Sequence, residues 1–321
     1  MKRVALQLCG HLRSYKSTYT DLFNKLVGTL CNEGYEADIF LHSWSETDTS
    51  DKSWHNLDGD KRGRNISDKD IEFIKKAYDP KAFLLEDQIM PEENFEFGEK
   101  FMNMPRQFSA VINSAYTRYS VNNLRLQYEK EYGVEYDYVI QTRPDIKFIT
   151  PFGIKKFLKT YDTYNLSVPE DALFCTSVPF RRGNIESDIF LCSIDLIIFA
   201  KPDILNKVNC FYKDIIDGKI TKEWIIDNCY SLEILWHAYW KQQNISNIIR
   251  LQYFQFEDYD IIRSIEDYSK LPDIKDHSIL KQENERKNVC RKILMGFLKI
   301  LPYTLVYRKI EKLNQEIYKK Y

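Results

Sequence analysis

Apolar runs of strand length alternate along this chain with longer stretches of helical spacing. Residues 3–10, RVALQLCG, predict a buried strand closed by a turn at Gly10. Residues 19–31 carry Leu22, Phe23, Leu26, Val27 and Leu30 on one side, the spacing of a helix. ADIFLHSW, residues 37–44, is a second apolar run that stops in polar residues. Residues 45–64 are charged, hold Gly59 and Gly63 and lack a period, so a long loop is expected there. A helix over 71–78 and a third strand over 82–87 follow. Pro105 opens a long helix over 107–132, with proline near its first turn.

The fourth strand lies in YDYVIQTRPDIKF, residues 136–148, and ends in a charged turn. Beyond it the pattern predicts a helix over 153–160 and a strand over 165–169. DIFLCSIDLIIFA, residues 188–200, accommodates two short strands or a strand and a turn. Helical spacing returns over 203–216 and 231–241. Such alternation indicates an α/β layer sheet with parallel strands. Ligands of such sheets sit beyond the carboxyl ends of the strands. The polar ends CGHLR, HSW and RPD are therefore the places to look for chemistry.

The 321 residues suit one large domain or a domain with an appendage, and the pattern changes at 286. Residues 1–285 form the expected domain, and residues 286–321 a basic, helical C-terminal tail. In that tail Lys and Arg outnumber Glu311 and Glu316, around the apolar ILMGFLKILPYTLVY with Pro302 as a break. This composition suits a segment lying on an anionic membrane surface. It equally suits a helix packed on the domain with a solvated basic face.

The net charge of −1 gives no support for nucleic-acid binding. Seven cysteines, Cys9, Cys31, Cys175, Cys192, Cys210, Cys229 and Cys290, form no CxxC pair, which argues against zinc and for reduced thiols. The start MKRVALQLCGHLRSY turns polar too soon for a signal peptide, and no apolar run reaches the ~20 residues of a bilayer span. A cytoplasmic protein is expected, free or peripheral on the inner face of the membrane. Abundant Tyr and Phe either line a sugar or nucleobase pocket or fill the core.

Strand alternation puts Gln141, Arg143 and Asp145 on one face, with Thr142, Pro144 and Ile146 on the other. Pro144 lacks an N–H, so the ladder ends there. A carboxylate in that crevice suits Mg²⁺ or Mn²⁺. A guanidinium suits a phosphate, and the two together suit a diphosphate. The simpler alternative is a structural Arg143–Asp145 ion pair or a capped turn.

VALQLCGHLRSY, ADIFLHSW and YDYVIQTRPDIKF, in that order, resemble a family of bacterial nucleotide-sugar glycosyltransferases of the GT-A type. That family serves capsule, O-antigen and lipooligosaccharide synthesis. ESDIFLCSIDLIIFAKPDIL resembles its following acidic segment, so the likeness spans residues 2–205. The resemblance implies a GT-A-like, Rossmann-like α/β fold with a mixed, mostly parallel sheet flanked by helices, a nucleotide-sugar donor and a glycan or lipid-linked acceptor. It places Gly10, Arg13, His42 and Trp44 at the nucleotide, with Arg143 and Asp145. Asp145 matches the last carboxylate of the DxD metal motif, whereas Arg143 replaces the first. A divalent cation, Mn²⁺ or Mg²⁺, is thus implied, and Arg143 puts it in question.

Inversion at the anomeric carbon would need a base. Asp188 is the first candidate, with Glu186, Asp171 and Glu233 behind it. Arg181 and Arg182 could meet an anionic donor or acceptor or form an ordinary turn, and Trp236 and His237 suggest an aromatic cluster. Two other readings compete. One is a non-catalytic nucleotide- or glycan-binding partner of a polysaccharide synthase. The other is a nucleotidyltransferase, whose glycine-rich, lysine-bearing loop CGHLRSY does not match.

Overall fold

β1 (Lys2–Cys9) is buried from Val4 onward because both its faces are covered, which explains its near-continuous apolar sequence. The computed structural model describes residues 2–48, 63–97, 106–177, 194–229 and 231–262, all inside the unit Met1–Ile265. The further strands are β2 (Tyr35–Trp44), β3 (Ala82–Glu86), β4 (Glu96–Phe97), β5 (Arg106–Gln107) and β6 (Tyr138–Thr142). After them come β7 (Ile146–Phe148), β8 (Leu173–Ser177), β9 (Ile198–Ala200), β10 (Ile248–Phe254) and β11 (Tyr259–Ile261). The helices are α1 (Tyr15–Leu22), α2 (Gly28–Asn32), α3 (Asp68–Phe73), α4 (Phe108–Tyr132) and α5 (Ile154–Thr163). They continue with α6 (Pro202–Val208), α7 (Phe211–Ile216), α8 (Lys222–Asn228) and α9 (Leu232–Gln242).

The main sheet has seven strands in the order β10-β8-β9-β6-β1-β2-β3. All pair in parallel except β9, which runs antiparallel to both β6 and β8. The carboxyl ends of the other six strands therefore share one edge, and the amino end of β9 lies there too. This is an α/β, mostly parallel mixed sheet flanked by helices. Alternation splits its core in two. Leu6, Leu8, Leu41, Ile140 and Phe199 face one layer, packed with Leu22, Leu26 and Leu30. Ala5, Cys9, Phe40, Val139 and Ile198 face the other, packed with Val111, Ala115, Leu205, Trp236 and Tyr239.

Several expectations shift. The helix expected over 19–31 starts at Tyr15, because Tyr15 and Thr18 are buried and the Thr18 hydroxyl donates to the Pro144 carbonyl at 2.6 Å. A π-helical turn, Phe23–Val27, separates α1 from α2. The Lys25 carbonyl within it accepts from Phe152 N–H at 2.8 Å and Thr29 Oγ1 at 2.8 Å, which relieves the usual ladder. The strand expected over 165–169 is loop, and the strand sits instead at β8. Asn165 takes φ 51° just after α5 and Leu166 is exposed, so that segment has no core to face. The helix expected over 203–216 breaks between α6 and α7. α8, β10 and β11 were not anticipated. Residues 49–62, 178–193 and 286–321 lie outside the described residues, and with them fall most of the expected loop, Asp188 and the tail. Among the described residues no helix is long and apolar enough to cross a membrane.

Candidate functional site at the strand ends

Gly10 follows β1 with φ 103°, a backbone that only glycine adopts freely. Its N–H donates to Thr117 Oγ1 of α4 at 3.0 Å, so this amide is occupied rather than open to a ligand. His11 comes next and is buried. Burial, then the neighbouring Arg13, drives its imidazole down to about 3, so it is neutral. Arg13 itself holds the left-handed φ of 42°. Its N–H is tied to the Thr47 carbonyl at 2.8 Å, which fixes the turn.

That turn aims Arg13 at the end of β6. Arg13 Nη1 donates to Asp145 Oδ2 at 2.9 Å, and Nε to Asp48 Oδ1 at 2.7 Å. Arg143 reaches the same carboxylate with Nε to Oδ1 at 2.8 Å and Nη2 to Oδ2 at 2.6 Å. Asp145 is 0% exposed. Burial pushes its carboxyl up, but Arg143 and then Arg13 outweigh burial and hold it well below the usual carboxylate range. The turn is pinned at both flanks: Thr18 takes the Pro144 carbonyl, and Ile262 N–H donates to the Asp145 carbonyl at 2.9 Å. β6 ends at Thr142, just before the turn that Pro144 imposes.

Arg13, Arg143 and Asp145 thus come together as the sequence placed them, but as a closed ion-paired unit. The metal role anticipated for Asp145 does not fit this arrangement. Both its oxygens are taken by guanidinium donors, and a cation would have to displace one of them. Among the described residues no group of three or more His, Cys, Asp or Glu side chains could hold a metal ion.

His42 and Trp44 form a second cluster at the ends of β2 and β3. His42 is buried, with Nδ1 2.8 Å from Thr117 Oγ1 and Nε2 3.0 Å from Glu86 Oε2. Burial lowers its pKa against the opposing pull of Glu86. Tyr116 Oη donates to the same Glu86 oxygen at 2.8 Å. Trp44 is 2% exposed, stacked on Tyr116 at 5.9 Å and edge-on to His42 at 5.1 Å. One ring face of Trp44 is therefore already covered by protein. Its role here is to brace His42 and Tyr116 around Glu86.

Asp188, Glu186, Arg181 and Arg182 lie outside the described residues. Asp171 is placed before β8, at the amino edge of the sheet and away from this site. There it accepts from Ser246 Oγ at 2.6 Å and Asn247 Nδ2 at 2.6 Å, an ordinary turn support. Glu233 lies in the first turn of α9. A shallow depression of about 590 Å³ is lined by Asp68, Ile71, Glu72, Lys75 and Lys76, none of them part of the strand-end cluster.

A scan of protein-family models gives no match to this chain, and a search of curated proteins gives none either. The site therefore stands on its geometry. Sequence reasoning missed Asp48, Glu86, Thr117, Arg118 and Asp195. Asp195 lies just before β9, and reversal of that strand is what brings it to the carboxyl edge. Arg118 Nη2 donates to the Asp195 carbonyl at 2.6 Å and approaches Asp195 Oδ2 at 3.3 Å. A signal did exist for the helix. Asn113, Thr117, Arg118, Asn122 and Arg125 of α4 are all buried polar residues at helical spacing, a stripe that an ordinary amphipathic helix would fill with apolar side chains.

Proposed function

We propose that this protein is a glycosyltransferase of GT-A-like architecture. It moves a sugar from a nucleoside diphosphate donor to a glycan or lipid-linked acceptor of surface-polysaccharide synthesis. The observation that carries this reading is the Arg13–Asp145–Arg143 unit at the ends of the adjacent parallel strands β1 and β6. One buried carboxylate orients two guanidinium groups. Among the described residues, Arg13 Nη2 and Arg143 Nη1 lie outside those ion pairs. Cations preset in this way neutralise the charge that develops on a leaving nucleoside diphosphate without reorganising. The positive charge comes from arginine rather than from a metal ion. Glu86, held by His42 and Tyr116 in the second cluster at the ends of β2 and β3, offers a fixed acceptor for a donor hydroxyl or amine.

The resemblance of residues 2–205 to that transferase family supports the same reading, as does the basic apolar tail for an acceptor held in a membrane. The protein then works in the cytoplasm, at the inner face of the membrane. Asp188 keeps its proposed place as the base of an inverting reaction. The direct test incubates full-length protein with UDP-, GDP-, CDP- and CMP-sugars and a lipid-linked glycan acceptor, and follows acceptor-dependent nucleotide release. Release from one donor class supports the transferase, and loss of that release in Asp188→Asn supports the base. No release from any donor by folded protein contradicts it.

One observation favours the alternative, a non-catalytic nucleotide- or glycan-binding partner of a synthase. The described carboxylates of the cluster, Asp48, Asp145 and Asp195, each face an arginine, so none stands ready as a base. Nucleotide binding without donor turnover would select that reading.

A further inference from the structure

Arg118 projects from the middle of α4 and is 6% exposed, yet its Nη1 has no hydrogen-bond partner among the described residues. Its guanidinium lies over the ring of Trp236 from α9, 4.4 Å from the centroid. Trp236 is 1% exposed and its Nε1 also lacks a partner. Two buried donors on stacked groups are thus left unsatisfied, a state that Arg125 Nε and Trp240 Nε1 share. An unpaired buried donor is costly, and a ligand oxygen is one way to offset that cost.

The surroundings place this pair within the strand-end cluster. The Cys9 thiol hydrogen-bonds with the Thr142 carbonyl and Gln141 Nε2, and feels the charges of Arg118, Arg143 and Asp195. Arg143 in turn feels Asp195. Arg118, Arg143 and Asp195 are therefore neighbours around the end of β1. Arg118 is anchored mainly through the neutral Asp195 carbonyl at 2.6 Å, while the carboxylate stands at 3.3 Å. Arg13 and Arg143 are committed to Asp145 by short bonds, whereas Arg118 is held by a carbonyl and a longer carboxylate contact, with Nη1 buried and unpartnered among the described residues. Arg13, Arg118 and Arg143 balance Asp48, Asp145 and Asp195, so no surplus negative charge repels an incoming phosphoryl group.

We propose that Arg118 and Trp236 form a phosphoryl-binding subsite, in which Arg118 Nη1 and Trp236 Nε1 donate to a non-bridging oxygen of a nucleoside diphosphate. The subsite rests on the donor reading above and assigns its tightest contact to a helix rather than to the RPD turn. Arg13 and Arg143 then form the rim, and Arg118 the floor.

The test is calorimetric titration of full-length protein in EDTA with UDP, GDP, CDP and inorganic pyrophosphate. Wild type is compared with Arg118→Gln, Arg118→Lys and Trp236→Phe. Loss of the charge-assisted Nη1 donor in Arg118→Gln is expected to weaken binding about thirtyfold, and a point charge in Arg118→Lys about tenfold. Trp236→Phe keeps the ring and deletes only the donor, for a loss of about threefold to fivefold. Pyrophosphate should show the same ranking as the nucleotide. Should Arg118→Gln fail to fold, the Lys and Phe variants carry the test. Wild-type affinity, within twofold, in Arg118→Lys and Trp236→Phe overturns the subsite and leaves the donor reading standing. Failure of the wild type to bind any of the four probes overturns both.

Discussion

Arg118 and Arg125 lie two turns apart on α4, and both are buried, yet their surroundings differ in kind. Arg125 is paired at both terminal nitrogens by its own helix and its neighbours, and only its Nε lacks a partner among the described residues. Nη1 meets Glu129 at 2.5 Å, and Nη2 meets Asn122 and Asn206. Asn122 in turn accepts from Gln7 of β1 at 3.1 Å, so the network ties helix to sheet. Arg118 has a backbone carbonyl as its main partner, a loosely held carboxylate and an unused nitrogen at the edge where the parallel strands end. The comparison separates two uses of a buried cation. Paired beneath the sheet, it sets the fit of helix on strand. Left under-paired at the strand ends, it is available to a ligand.

The largest effect expected is on the closed unit at β6. Asp145→Ala leaves Arg13 and Arg143 without their shared carboxylate, and removal of one partner of a buried pair costs about 3–5 kcal/mol. Urea unfolding measures it; a loss below 1 kcal/mol would mean that the unit is not tightly buried. Next comes the contrast between the two arginines. Arg125→Gln should lose about 1–3 kcal/mol of stability and keep nucleotide affinity within twofold. Arg118→Gln should lose about 1 kcal/mol and most of its affinity. If both variants lose stability and affinity in the same proportion, the distinction between them collapses.

Acid sharpens the comparison further. The folded Asp145 carboxyl is depressed, so its contribution is full above the unfolded value of about 4 and is lost as pH falls below it. His11 is also depressed, to about 3, but as a base kept neutral by burial and Arg13. An unfolded His11 takes up a proton from about pH 6.5 downward, so stability falls from there toward acid. Melting temperatures of His11→Gln should therefore decline less than wild type between pH ~6.5 and ~4. Those of Asp145→Asn should lose the further drop below pH ~4. Parallel curves for all three proteins would remove this account of both groups. The smallest effect concerns the tail. Deletion of residues 286–321 should weaken binding to anionic liposomes while leaving nucleotide affinity unchanged, and unchanged liposome binding would remove the membrane role.

The sequence was most legible where both faces of a strand are buried. β1, β2 and β6 stand out as apolar runs because helices cover the sheet on both sides, and β3, a half-buried edge strand, was still legible because its run Ala82–Leu85 is unbroken by charge. β10 was invisible for the opposite reason. It is an edge strand with Arg250 and Gln252 exposed, so its pattern is broken. Arg13, Arg143 and Asp145 could be placed together from the order of the polar strand ends and the family resemblance. Strand alternation, expected to align Gln141, Arg143 and Asp145, does not extend to Arg143 and Asp145, because β6 ends at Thr142 and a turn follows. The Arg143–Asp145 ion pair was the simpler of the two sequence readings and is what the structure shows; the share of Arg13 in it was not anticipated, because it depends on the left-handed turn at Arg13. Arg118 and Asp195 escaped because they come from a helix and a reversed strand, which a rule about parallel strand ends does not reach.

The measurement that bears most directly on the central claim is calorimetry of full-length protein with UDP, GDP and CDP, once with Mn²⁺ and once with EDTA. Arg143→Gln is run beside the wild type. The account predicts that one nucleotide binds with the same affinity, within twofold, under both conditions, and that Arg143→Gln weakens it at least tenfold. Binding that requires Mn²⁺, or that survives Arg143→Gln unchanged, would contradict a diphosphate site built from arginine.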